Sequence, residues 1–117
     1  MIQFKATNTH LDGTWQDLIE QKFRTLEKYL GQGTDTKCQV EFEKVAPHQS
    51  GDVHRVEVNL TVEGKLFRAE ATEQSFELAI DEVRSELDRE LAKAHQKRET
   101  LFKKGGRKIK EMLRFGK

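Results

Sequence analysis

The sequence predicts an α+β domain of two layers, a four-stranded sheet with two helices packed on one face, in the order β-α-β-β-β-α. Three observations carry this. Apolar residues alternate with polar ones in four separate stretches, recur at three-and-four spacing in two others, and two of the alternating stretches pair in a single self-consistent register. At 117 residues the chain holds one core.

Residues 2–8 alternate, with Ile2, Phe4 and Ala6 on one face and Gln3, Lys5 and Thr7 on the other, the pattern of a half-buried strand. After the turn THLDG, Thr14 and Asp17 stand at capping-box spacing and open a helix. Its apolar face is Trp15, Leu18, Ile19, Phe23, Leu26, Tyr29 and Leu30, and Gly31 and Gly33 are expected to end it. Lys22 falls inside that face by its helical angle, so its stem should cover core residues while its ammonium emerges beside the second helix. Arg24 and Lys28 point away from the apolar face.

Residues 37–45 alternate with Cys38, Val40 and Phe42 inward, and APHQSGD reads as a surface connection. Residues 54–62 and 65–72 then form a hairpin around the two-residue turn Glu63-Gly64. Pairing Leu60 with Phe67 and Val58 with Ala69 keeps every inward residue on one side. The second helix starts near Ser75, with Phe76, Ala79, Ile80, Val83, Leu87, Leu91 and Ala94 as its buried stripe. Arg89, Lys93 and Lys97 lie along the flank of that stripe, one turn apart. Gly105 and Gly106 are expected to break this helix, with RKIKEMLRF, which has Ile109, Met112 and Leu113 at helical spacing, forming a further short amphipathic turn once a partner screens its charge.

The other face of the sheet would carry Gln39, Glu41, Glu43, Arg55, Glu57, Asn59, Thr61, Leu66, Arg68 and Glu70. It offers no aromatic rings on which to stack unpaired bases, and the element order is not that of an RNA-recognition motif. The architecture is instead like that of a double-stranded-RNA-binding domain.

Charge is unevenly placed. Residues 97–117 hold nine Lys/Arg against two Glu, a net of +7, while the remaining twelve bases and eighteen acids leave the body at −6. A basic arm on an acidic body is the distribution of a segment that seeks a polyanion. The expected division is a domain over residues 1–102 and a basic tail over 103–117. No stretch is long and apolar enough to span a bilayer and the N-terminus lacks a secretory pattern, so no membrane partner and a cytoplasmic location are expected.

No residue pattern supports catalysis. His10, His48, His54 and His95 are scattered without metal spacing, the lone Cys38 faces the core, and Ser50, Ser75 and Ser85 lack a nucleophile-elbow context. Neither an enzymatic activity nor a cofactor or metal is expected.

Four segments, KFRTLEKYL, VEFEK, RVEVNLTVEGKLFRAEA and AIDEVRSELDRELAKAHQKRE, together resemble the ribosome hibernation promoting factor family, also called ribosome-associated inhibitor or sigma modulation proteins. The likeness spans residues 1–100 in the family's element order. It implies a domain that docks on the small ribosomal subunit, between head and body, in the channel used by messenger and transfer RNA, and silences translation by steric block. Lys22 and Lys28 match basic positions of the family's first helix, and Arg89 and Lys93 match its Lys-Leu-x-Arg-x-Leu-x-Lys pattern. Here that pattern reads ELDRELAK, with Glu86 in place of a lysine, and Thr25 replaces another base. The tail is therefore expected to supply part of the attraction, making Lys97, Arg98, Lys103, Lys104, Arg107, Lys108, Lys110 and Arg114 further candidates for RNA contact. Long members of the family carry a second, dimerising domain that this chain is too short to include, so a monomer is expected.

Two other readings compete. A general double-stranded-RNA binder would bind plain duplex as well as it binds small subunits, and a transcriptional modulator would retain polymerase components rather than ribosomes.

Overall fold

A computed structural model describes residues 2–30, 35–46, 51 and 53–114, those from 98 onward in backbone only. The elements are β1 (Ile2–Thr7), α1 (Gly13–Phe23), a 3-10 helix (Arg24–Tyr29), β2 (Thr36–Lys44), β3 (His54–Val62), β4 (Lys65–Glu73) and α2 (Phe76–Arg114). The strands lie side by side in chain order, β1-β2-β3-β4. β1 runs parallel to β2 because α1 crosses over between them, whereas β2, β3 and β4 are antiparallel neighbours.

The hairpin follows the expected register, with Leu60 opposite Phe67 and Val58 opposite Ala69. Glu63 and Gly64 turn it with φ of 49° and 80°. Positive φ at both central residues is the turn whose twist matches that of the flanking strands, and Gly64 adopts it without the Cβ clash that Glu63 must bear.

Alternation places Cys38, Val40, Phe42, Val56, Val58, Leu60, Val62, Phe67, Ala69 and Ala71 on one face, all buried. They meet Ile19, Phe23 and Leu26 from the first helical segment and Phe76, Ala79, Ile80, Val83, Leu87 and Leu91 from α2, also buried. Full burial of each large aliphatic or aromatic side chain contributes about 2 kcal/mol over exposure. At the edge of this core β1 is weaker than its pattern suggests, since Ile2 and Phe4 are half-buried but Ala6 is exposed.

Three helix boundaries differ from the sequence reading. The cap of α1 is Asp12, not Thr14, and its carboxylate accepts from the backbone N–H of Thr14 at 2.8 Å and of Trp15 at 3.4 Å. The α-helix does not continue to the glycines, which lie outside the described residues; it tightens to 3-10 geometry after Phe23. Thr25 donates its hydroxyl to the Lys22 carbonyl at 2.8 Å, a local bond that competes with the α-helical ladder. Phe23, Leu26 and Tyr29 then face the core at a spacing of three, the period of the tighter helix.

The third difference is in α2, capped by Ser75, whose hydroxyl accepts from Leu78 N–H at 3.2 Å. Its 39 residues continue through Gly105 and Gly106, where a break is expected. Glycine costs a helix about 1 kcal/mol relative to alanine but, unlike proline, keeps its N–H in the ladder. The neighbouring Lys, Arg, Glu, Met and Leu are good helix formers.

Candidate nucleic-acid interface

Two contacts pin the first helical segment to α2. Lys22 Nζ is ion-paired with Asp81 Oδ1. Tyr29 donates its hydroxyl to Asp88 Oδ1 at 2.9 Å while its ring meets His95 edge-on at 6.1 Å between centroids. The position of Lys22 at the edge of the apolar face thus comes out as expected, but its charge is engaged inside the molecule. Lys28, about two turns further on, is exposed and sits 5.1 Å from the centre of the Tyr29 ring, a cation–π contact.

Arg89, Lys93 and Lys97 are all exposed on α2. Lys93 reaches Glu90 at 4.0 Å, a pair between long solvated side chains and worth little. Neither Arg89 nor Lys97 forms an ion pair with another described side chain. From Phe76 to Glu90 the helix carries six acids and two arginines, whereas from Leu91 to its last residue every charged group is basic except Glu99 and Glu111. Of the remaining candidates, Arg98, Lys103, Lys104, Arg107, Lys108, Lys110 and Arg114, the structure describes the backbone alone, which continues the same helix.

The sequence does not place two further cations beside this helix. Lys65 and Arg68, at the start of β4, line a groove together with Lys93 and Lys97, because α2 runs back along β4. The hairpin register and the helix stripe contain this juxtaposition, but only jointly.

The outer sheet face binds its cations differently. Glu41, Glu57 and Glu70 stand abreast on β2, β3 and β4, three like charges in one row. Arg55, one row away and only 17% exposed, donates to Glu43 at 3.0 Å and to Glu70 at 2.6 Å, is paired with Glu57, and lies 3.6 Å from Glu41. From the opposite row Arg68 approaches Glu57 and Glu70 at 3.4 Å each. Burial opposes charge on Arg55, but the hydrogen bonds and charges of Glu70 and Glu57 outweigh it and hold the guanidinium proton more tightly than usual. Burial likewise favours a neutral Glu57, yet hydrogen bonds from Asn59 and Arg55 and the charges of Arg55 and Arg68 bring its pKa below the ordinary carboxylate value.

Burial pushes the Cys38 thiol up to about 11, which leaves it un-ionised and unreactive at neutral pH. Among the described residues no group of three His, Cys, Asp or Glu side chains could hold a metal ion, and no helix is long and apolar enough to cross a membrane.

Comparison with known proteins gives a consistent picture. Residues 2–99 match the family model described as sigma 54 modulation protein / S30EA ribosomal protein. A ribosome hibernation promotion factor of Deinococcus radiodurans is 30% identical over 93 residues, which cover 80% of this chain and 48% of that protein. The chain therefore spans about half the length of this curated relative. Among solved structures, the N-terminal domain of Thermus thermophilus Protein Y superposes with a TM-score of 0.63 at 22% identity, covering 78% of this chain and 96% of that one. A ribosomal subunit interface protein from Coxiella burnetii gives 0.62 at 16% identity, covering 80% and 94%. At these identities the two structures speak for the fold.

Proposed function

Since the chain belongs to the sigma 54 modulation protein / S30EA ribosomal protein family, we propose that it is a ribosome hibernation factor that binds the small ribosomal subunit at the decoding region. There it blocks messenger and transfer RNA by occupying their space, and translation stops without any chemical step. The observation that carries this reading is the row of exposed cations, Arg89, Lys93 and Lys97, on a helix that continues into the most basic part of the chain. Cations without strong internal partners attract phosphate oxygens and displace condensed counterions.

In this mechanism Arg89, Lys93, Lys97 and Lys28 meet rRNA phosphates, joined by the bases from Arg98 to Arg114. Lys22 contributes by holding α1 against α2 through Asp81, so that the two helices present their cations as one rigid surface. Phosphate contacts carry no sequence information, so selectivity rests on the fit of the whole domain to a folded RNA cleft. Neutralising about six phosphates would weaken binding roughly a thousandfold between 50 and 200 mM salt.

The test is co-sedimentation with purified small subunits, vacant or filled with messenger and transfer RNA. Retention by vacant subunits and loss from filled ones is expected. Equal retention by both, or equal affinity for plain RNA duplex at the same salt, contradicts the reading.

A further inference from the structure

β4 is one of the two outer strands of the sheet, so one side of its backbone has no neighbouring strand. Because Val62 and Lys65 close a two-residue turn, the pairs that exchange hydrogen bonds with β3 are those of Lys65, Phe67, Ala69, Ala71 and Glu73. The N–H and C=O groups of Leu66, Arg68, Glu70 and Thr72 consequently point away from the sheet. Over this edge α2 forms the wall of a groove of about 260 Å³, lined by Lys65, Arg68, Lys93 and Lys97 and by the acids Glu86 and Glu90; Arg68 is already engaged by Glu57 and Glu70 on the outer sheet face, which leaves Lys65, Lys93 and Lys97 to face a ligand. At its mouth Leu66 is 58% exposed, more than any other large hydrophobic side chain described.

We propose that the β4 edge is a docking site for an extended acidic segment of a partner protein, which adds to the sheet as a fifth strand. An alternating row of donors and acceptors at strand spacing is satisfied by another peptide backbone, whereas a nucleic-acid backbone offers chiefly acceptors, with the ribose 2′-hydroxyl of RNA its one donor, and does not repeat donor and acceptor at strand spacing. The cations choose the occupant's sign. Lys65, Lys93 and Lys97 repel the same three on a second copy of this chain and attract carboxylates spaced two residues apart on the incoming strand. Leu66 supplies the apolar contact for the side chain between. The other outer strand, β1, has no such wall of cations, and its Lys5 lies 3.9 Å from Glu41.

This inference goes beyond the ribosomal reading and shares only Lys93 and Lys97 with it; no ribosome enters its test, so the two fail separately. The probe is an acetylated and amidated nine-residue peptide of alternating valine and glutamate, matched to the nine residues of β4, added to the full chain while amide hydrogen exchange is followed. Exchange at Leu66, Arg68, Glu70 and Thr72 should slow about tenfold or more at saturating peptide, with the amides of β1 unaffected. Lys93→Glu with Lys97→Glu, both exposed positions, should weaken peptide binding about tenfold. N-methylating the peptide at alternate residues, which keeps its charges but removes the backbone donors, should abolish the protection. Protection by a valine–lysine peptide equal to that of the glutamate peptide overturns the proposal. So does unchanged binding after N-methylation, or an RNA oligonucleotide that protects these amides when the glutamate peptide does not.

Discussion

On the outer face of the sheet Arg55 is enclosed by four carboxylates within 3.6 Å, whereas on the flank of α2 Lys93 has one glutamate at 4.0 Å and Arg89 none among the described side chains. The two regions have similar composition in a linear reading, each mixing acids and bases, yet they do opposite things with their charge. The sheet consumes it: three abreast carboxylates would repel one another, and Arg55 and Arg68 neutralise the row from either side. Helix α2 leaves its charge available, first because its acids cluster toward the N-terminal half, and second because the residues that follow are almost all basic. A cation available to a partner is one that its own fold has not already neutralised, and net charge does not reveal this.

That contrast can be broken from either side. Reversing two exposed cations, Arg89→Glu with Lys93→Glu, should reduce affinity for the small subunit by about a hundredfold, close to 2.7 kcal/mol, as read by sedimentation binding. The denaturant midpoint should stay within about 0.5 kcal/mol of the parent, since both sites are exposed. Removing the enclosed cation should do the reverse. Arg55→Ala should destabilise the fold by about 2 kcal/mol in denaturant unfolding, because Glu57 and its neighbours lose the charge that compensates them, while binding by the folded fraction is retained. If Arg55→Ala weakened binding and left stability intact, the distinction between the two regions would be wrong.

The smallest expected effect concerns pH. Glu57 titrates in the folded protein below its ordinary value of 4.5. Its ionised form therefore stabilises the fold above about pH 4.5, and that contribution disappears as pH falls through the lower folded value. Glu57→Gln should be less stable than the parent by about 1 kcal/mol at pH 7, and the two unfolding curves should converge on acidification. A gap that persists at pH 2 would place the effect in packing rather than charge.

The sheet was the most legible part of the molecule, since period-two alternation and a two-residue turn leave one register that buries Val58, Leu60, Phe67 and Ala69 together. Helix boundaries were less so, because they depend on competition between nearly equal local bonds. Asp12 captures the N–H groups that Thr14 was expected to serve, and Thr25 diverts the chain into 3-10 geometry although the three-residue spacing of Phe23, Leu26 and Tyr29 already hinted at it. Gly105 and Gly106 read as helix breakers, but two glycines lower helix stability without removing a hydrogen bond. At the candidate interface, exposure of Arg89, Lys93 and Lys97 followed from helical angle. The pairing of Lys22 with Asp81 and the convergence of Lys65 and Arg68 with Lys93 did not, because each joins residues from elements whose relative placement a linear pattern does not contain.

If exposed cations in the final third of the chain hold it to the small subunit, the salt dependence of that binding reports on them directly. Plotting log affinity against log salt for the full chain, for a truncation after Phe102 and for the Arg89→Glu, Lys93→Glu variant should give three negative slopes, steepest for the full chain, each lost phosphate contact flattening the slope by about 0.7 to 0.9. Three identical slopes would contradict it, since the protein would then be held to the ribosome by something other than these charges.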